Sequence, residues 1–297
     1  MHETFFKVKF ARVVLSYLLG SATNIVKKYS EMKIKKRKTP ISYYGGKQTM
    51  LPKLLPLIPE HKVYVEPFFG GGALFWAKDP SDVEVVNDLN GQVMNFYSVL
   101  KRKPEELKEL VDSTPYARTA YKQALVVYNA PYLFDELTRA WAFWTVTIQG
   151  FSNKIGSWRC AQNRNKEVIL LENKKELINE VTSDRLKLVQ IESKDAVQLI
   201  KRHDHEDAFF YCDPPYVDSN QGHYGGYTQQ HFDELLECLS NIKGKFLLSS
   251  YPNESLLEHS IANGWSTKGN YMHLSASNQS GKRKLEMLTA NYDISKV

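Results

Sequence analysis

Asp213-Pro214-Pro215-Tyr216 sets a carboxylate, two rigid imino acids and an aromatic ring in four consecutive positions. An ionised carboxylate only accepts hydrogen bonds. Each proline fixes φ and removes a backbone donor, so the tetrapeptide forms a stiff corner. It presents the Asp213 carboxylate, the Pro214 carbonyl and one face of Tyr216 in fixed relative positions. Ala208-Phe209-Phe210-Tyr211 ahead of it reads as the end of a buried strand, which the prolines stop. In an α/β sheet, a loop at the carboxyl end of a strand is where ligands bind. A simple turn is the other way to read the same four residues.

Several stretches could supply the rest of a site. Tyr43-Tyr44-Gly45-Gly46-Lys47 offers a tight backbone turn and a lysine for an anionic group, although a plain turn explains it equally. Val63 to Glu66, then Pro67-Phe68-Phe69-Gly70-Gly71-Gly72, reads as a strand, a glycine turn and a helix start, the first half of a Rossmann-like unit. The Gly-x-Gly-x-x-Gly spacing is missing, so a dinucleotide pyrophosphate is not the expected guest. The glycines can also serve packing alone. Val83 to Asp88 reads as a second strand ending in an acid, suited to ribose hydroxyls or to capping the following helix. The order, glycine turn and then acid, fits an adenosine-containing cofactor. Asp195 sits at another strand-to-helix junction, as an N-cap or as an acceptor for an adenine amino group.

The elements that must hold these residues are strands near 63, 83, 190, 208 and 245, a hairpin made of 271–274 and 285–292, and a helical stretch over 89–150. Between Lys154 and Lys166 the chain changes character. Lys154, Arg159 and Arg164 stand among Asn and Gln with Trp158 between them, and no acid intervenes. Such side chains contact base edges and phosphates, or decorate an ordinary polar loop. Lys282 and Arg283 give the late hairpin a basic tip. Gly222 to Tyr227 is an aromatic, glycine-rich loop suited to closing over a site. His203-Asp204-His205 is expected to be solvated and not to hold a metal.

The chain has 297 residues, a net charge of +6, 42% hydrophobic residues and three cysteines without C-x-x-C spacing. One large or two moderate domains fit that length, and neither a zinc site nor a disulfide framework is indicated. A reducing, cytoplasmic setting is the simplest expectation. Residues 1–38 carry ten basic and two acidic side chains, leaving 29 basic against 31 acidic in the remainder. Total charge is therefore no argument that the folded part binds nucleic acid, and local patches must carry it. Val13 to Gly20 is apolar after Lys7, Lys9 and Arg12, which faintly suggests a signal peptide but is too short for a membrane span. A basic appendage, or a chain that begins at Met32, are the plainer expectations.

Taken together, these motifs resemble the Dam-type (D12 class) DNA adenine-N6 methyltransferases over about residues 40–293. Asp213-Pro214-Pro215-Tyr216 matches the catalytic motif of that family at every position. The resemblance implies an α/β fold with a Rossmann-like S-adenosylmethionine-dependent methyltransferase sheet and an inserted, mainly helical target-recognition domain. It places the catalytic domain in 39–88 and 188–297 and the insert in 89–187, and it leaves the basic extension of residues 1–38 outside, longer than the family usually carries. It implies catalytic roles for Asp213, Pro214, Pro215 and Tyr216. Tyr43, Lys47, Glu66, Pro67, Phe68, Gly70, Gly72, Asp88, Asp195 and Asp213 would surround S-adenosylmethionine. Lys154, Trp158, Arg159, Arg164, Lys282 and Arg283 would meet double-stranded DNA. No metal, no membrane and a monomer on DNA are expected, with room for a separately acting restriction endonuclease. The insert differs from the GATC readers, so no recognition sequence carries over.

Overall fold

The computed structural model describes residues 38–151, 155–160, 165–217, 226–273 and 283–295. Residues 38–297 form one compact unit. Its centre is a seven-stranded sheet made of β1 (Val63–Glu66), β2 (Val83–Asn87), β3 (Gln190–Glu192), β4 (Ala208–Cys212), β5 (Lys245–Ser250), β6 (Ser266–His273) and β7 (Arg283–Ala290). The strand order is β3-β2-β1-β4-β5-β7-β6. The first five strands run parallel, and β7 lies antiparallel between β5 and β6. The chain moves outward from β1 to β2 and β3, then returns to the other side of β1 for β4. The crevice beyond the carboxyl ends of β1 and β4 is thus the topological switch point, where α/β sheets bind ligands.

Short prolines and caps set the helix boundaries. α1 (Leu51–Leu54) passes into a 3₁₀ turn at Leu55–Leu57, with Pro52 and Pro56 each near the start of its segment. α2 (Ala73–Ala77) follows the glycine turn. α3 (Gly91–Arg102) is capped by the Asn90 side chain, and α4 (Pro104–Asp112) opens on proline and two acids. α5 (Arg118–Asn129) and α6 (Glu136–Gln149) follow, and Asp135 caps the second through Leu137 and Thr138. α7 (Lys166–Lys175), α8 (Glu180–Leu186), α9 (Ala196–His203), α10 (Gln229–Ser240) and α11 (Glu254–Asn263) complete the helices described. None of them is long and apolar enough to cross a membrane.

Strand alternation divides the core between the two sheet faces. Tyr64, Val86, Phe209, Tyr211, Leu247 and Leu288 join the face covered by residues 41–57, α3, α4 and α6. Val65, Val85, Phe210, Cys212, Phe246 and Leu248 join the face covered by α9, α10 and α11. With both faces covered, β4 is buried at every position, as a parallel central strand should be. The helical stretch after β2 is not one separate body. Phe96, Tyr97, Val99 and Leu100 of α3 and Phe143 and Trp144 of α6 belong to the sheet's own core. A smaller cluster of Tyr121, Ala124, Val127, Ala142 and Val146, with Ile155 and Trp158 against it, joins α5 to the outer side of α6.

Candidate active site

The same alternation builds the site. Tyr64, Tyr211 and Leu247 face one core, so the residues two further on, Glu66, Asp213 and Ser249, emerge on that side at the carboxyl edge. Leu288 faces the same core on antiparallel β7, and Glu286, two before it, arrives beside them. Residues 39–50, packed on this face through Ile41, Tyr43 and Met50, bring in Lys47. Five chain segments distant in sequence therefore converge on one polar cluster.

The Lys47 Nζ lies 2.8 Å from Asp213 Oδ1 and 3.6 Å from Glu286 Oε1. It also donates to the Gly45 carbonyl at 3.3 Å. Tyr216 OH donates to Asp213 Oδ1 at 3.2 Å and to Glu286 Oε1 at 3.0 Å, and it stands 3.1 Å from Ser249 Oγ. Ser249 Oγ donates to Glu286 Oε1 at 2.5 Å. The Tyr216 ring packs against Tyr251 at 4.3 Å between centroids, and Lys47 Nζ lies 4.8 Å from its centre. Exposure separates the members. The side chains of Lys47 and Glu286 are 7% and 4% exposed, whereas Asp213 is 18% exposed and forms the open end of the cluster.

Burial pushes the Asp213 carboxyl up to about 6, against the pull of Lys47 and with the help of Glu286. Burial would lower Lys47, but the Asp213 and Glu286 carboxylates outweigh it and hold the ammonium firmly protonated. Glu66, buried at the end of β1, accepts from Tyr64 OH at 2.6 Å. Burial raises it to about 8, and Asp213 adds to the rise. The carboxyl edge is thus rich in acids and short of cations, and such sites favour an incoming positive charge.

The second half lies beside it. The glycine turn after β1 is held from both ends: Gly70 N–H donates to Asp88 Oδ2 at 2.8 Å, and the Gly70 carbonyl accepts from Tyr97 OH at 3.2 Å. Gly72 has φ +62, and a Cβ there would meet the Phe69 ring at 2.5 Å, so only glycine fits. Asp88, 1% exposed, accepts Asn90 N–H on its other oxygen. It ties β2 to the turn, while Asn90 caps α3. Asn87 joins Pro67 to Lys194 by donating to both carbonyls and accepting the Lys194 N–H. That brings the β1, β2 and β3 ends together. Asp195 caps α9 by accepting Gln198 N–H at 2.9 Å, and Phe68 meets Tyr227 edge-on at 6.2 Å.

The family profile described as D12 class N6 adenine-specific DNA methyltransferase matches residues 43–284, most of the chain and every member of this site except Glu286, which lies just beyond the match. The chain belongs to that class. A type II methyltransferase of Lactococcus lactis subsp. cremoris, M1.LlaDCHI, is 28% identical over 72% of this chain and 81% of its own length. The DNA adenine methylase of Vibrio cholerae is 25% identical over 62% of this chain and 67% of its own. A DNA N-6-adenine-methyltransferase of phage P1 is 35% identical over 33% of this chain, but this covers only 13% of the phage protein. The reaction of this D12-class enzyme is methyl transfer to adenine N6 in DNA, and S-adenosylmethionine is the donor that class membership implies.

The donor set suits that cofactor. A buried acid beside a glycine turn at the end of β2 matches ribose chemistry. The carboxylate-rich edge suits a sulfonium. The methyltransferase's expected DNA contacts are less completely placed. Lys154, Arg164, Lys282 and the Arg283 side chain lie outside the described residues, as does most of the Gly222–Tyr227 loop and all of residues 1–37. Trp158 pairs with Gly150 in an isolated bridge, donates its indole N–H to Gln149 Oε1 at 3.1 Å, and packs its ring on Tyr116 and the Arg118 guanidinium. The Arg159 backbone is pinned on both sides: its N–H donates to the Gln149 carbonyl, and its carbonyl accepts Tyr116 OH. The sequence pointed to neither Arg118 nor Tyr116, and it missed Glu286, Ser249 and Tyr251. A lone acid inside the apolar run Leu285-Glu286-Met287-Leu288 was the one available signal for that last group.

Proposed function

We propose that this methyltransferase modifies adenine at a defined sequence of double-stranded DNA, acting on a base swung out of the helix. The observation that supports it most is Asp213, which with Tyr216 forms the half-buried end of an otherwise buried polar cluster, beside a glycine turn at the switch point of the sheet. Adenine N6 is a poor nucleophile because its lone pair is delocalised into the ring. Asp213 and the Pro214 carbonyl accept the two amino hydrogens, which localises electron density on the nitrogen and aims it. S-adenosylmethionine, when bound, supplies an activated methyl group on sulfur. The residues of the chain then contribute position and electrostatics, which carry most of such an acceleration. Positive charge builds on N6 as the bond forms, and the excess of carboxylates over cations at this edge stabilises it.

Tyr216 offers the flipped base an aromatic partner, worth about 1–3 kcal/mol and comparable to the unstacking cost it offsets. Tyr43, Pro67, Phe68, Gly70, Gly72, Asp88 and Asp195 surround the cofactor, with Asp88 accepting from ribose hydroxyls. Residues 39–88 and 188–297 carry catalysis. Target recognition lies within 89–187, centred on α5, the outer side of α6 and the basic segment after it, where a small core of its own stiffens the surface. Arg159 and Arg118 stand at that surface and meet the duplex, and Lys154, Arg164, Lys282 and Arg283 are further basic residues for DNA contact. A phosphate contact here should weaken binding to all sequences and lower the salt slope, while a base contact should relax specificity.

The test is transfer of tritium from S-adenosyl-[methyl-³H]methionine to duplex DNA lacking adenine methylation, with mass spectrometry of the digested nucleosides. N6-methyladenine is the expected product. Label in RNA or protein but not in duplex DNA would overturn the proposal.

A further inference from the structure

Asp213 Oδ1 cannot take an amino hydrogen while both of its acceptor positions are filled. Lys47 and Tyr216 both donate to the same oxygen, Oδ1. Both also stand within reach of one other oxygen, Glu286 Oε1, at 3.6 Å and 3.0 Å. Ser249 anchors that oxygen by donating to it at 2.5 Å. Glu286 itself is 3% exposed and sits on a strand wedged between β5 and β6, so it is held rigidly and away from any base. No motif resembling the family's catalytic or cofactor signatures contains it.

We propose that Glu286 is a positioning residue for methyl transfer: it takes over the hydrogen bonds of Lys47 and Tyr216 as the target amino group arrives, and so releases Asp213 Oδ1. The inference rests on the catalytic role of Asp213 proposed above. Three features make Glu286 suited to the task. Its negative charge keeps Lys47 within the cluster after the ammonium leaves Asp213. Its fixed carboxylate gives Tyr216 OH a partner while the ring meets the base. No backbone movement is needed, because both donors already bridge the two acids.

A second consequence separates this role from a merely structural one. The charged or titratable groups around Asp213 are Lys47, Glu66 at the end of β1, Tyr211 and Cys212 on β4, Tyr216, Tyr251 after β5, and Glu286 on β7. Of these, the Glu286 carboxylate raises the Asp213 carboxyl, and Lys47 lowers it. Neutralising Glu286 therefore lowers the pH at which Asp213 ionises, and it also fastens Lys47 more tightly to Asp213.

Glu286→Gln keeps the shape and the acceptor oxygen but removes the charge. With saturating cofactor and DNA, kcat should fall about 10- to 100-fold, as for misplaced catalytic groups, with KM for both substrates within a few-fold. The acid limb of its pH–rate profile should move to lower pH. Glu286→Asp, which restores the charge on a shorter arm, should recover part of the rate. Ser249→Ala, which leaves the charge but loosens its anchor, should lower kcat less and leave the limb in place. Wild-type kcat and an unmoved limb in a folded Glu286→Gln protein, judged by its thermal transition, would overturn the inference and leave the proposed function intact. A wild-type protein that makes no N6-methyladenine would overturn both.

Discussion

Two clusters of buried charge lie on the same sheet and are built to opposite specifications. Near the amino-terminal half of β2, Glu84 is held by two cations. Lys78 donates to Oε1 at 2.6 Å, and Arg185 reaches both oxygens, donating to Oε1 at 2.8 Å and also bonding Oε2. Arg185 covers the Phe75 ring at 3.8 Å, and Lys78 covers that of Tyr64 at 4.3 Å. At the carboxyl edge the ratio is inverted, with one lysine serving Asp213 and Glu286 and with Glu66 close by. The pKa values follow. Burial would raise Glu84, but Arg185 and Lys78 overcome it and hold it below its usual value. Asp213 and Glu66 are raised. A cluster saturated with counter-charge locks helices to a sheet. One left short of cations keeps an unfilled preference for positive charge.

Exchanges at each cluster can break this contrast. The largest effect should come from Asp213→Ala, which lowers transfer by roughly 100- to 1,000-fold, as for removal of one preorganised electrostatic partner. Cofactor affinity measured by calorimetry should survive, and unchanged turnover would end Asp213's part in the contrast. Next, Arg185→Ala should cost about 3–5 kcal/mol of folding stability, the usual toll for breaking a buried ion pair, while kcat of the folded fraction is preserved. Chemical denaturation checks it, and a loss of kcat without a loss of stability would reverse the assignment.

Smaller effects depend on pH. A carboxyl raised to about 8 in the fold favours its protonated form. Its stabilising contribution is complete below the unfolded value and is lost as pH rises through about 8. Glu66→Gln mimics the protonated acid, so its melting temperature relative to wild type should climb between pH 5 and pH 9; a constant difference would show that Glu66 ionises normally. The mildest expectation concerns the wild-type enzyme itself. Because Asp213 must be ionised to accept amino hydrogens, kcat/KM should decline as pH falls through about 6. A profile flat to pH 5 would speak against a burial-raised Asp213.

What could be read from the chain beforehand was what neighbouring residues decide. Asp213 to Tyr216, the glycine turn and the acids ending β2 and preceding α9 declare themselves by local chemistry, since proline, glycine and capping preferences act within a few residues. Asp195 caps α9 through Gln198 N–H, and Asp88 ties the turn at Gly70 while Asn90 caps α3. Ser249 and Glu286 were silent because their meaning depends on β5 and β7 being neighbours, a pairing between distant segments that no short window contains. The helical stretch after β2 was visible as helix. Its apolar faces could not say that α3 and α6 pack on the sheet while α5 packs outward. Lys47 was expected to meet an anion, and the anions it meets are the protein's own acids.

The antiparallel strand between β5 and β6 has an implication for how the enzyme comes into being. During translation Lys47 leaves the ribosome long before Glu286, and every other member of the cluster emerges in between. A nascent chain can therefore carry its whole proline corner and glycine turn while still lacking the acid that faces Lys47 and Tyr216. The cluster is then complete only after β7 has taken its place between β5 and β6.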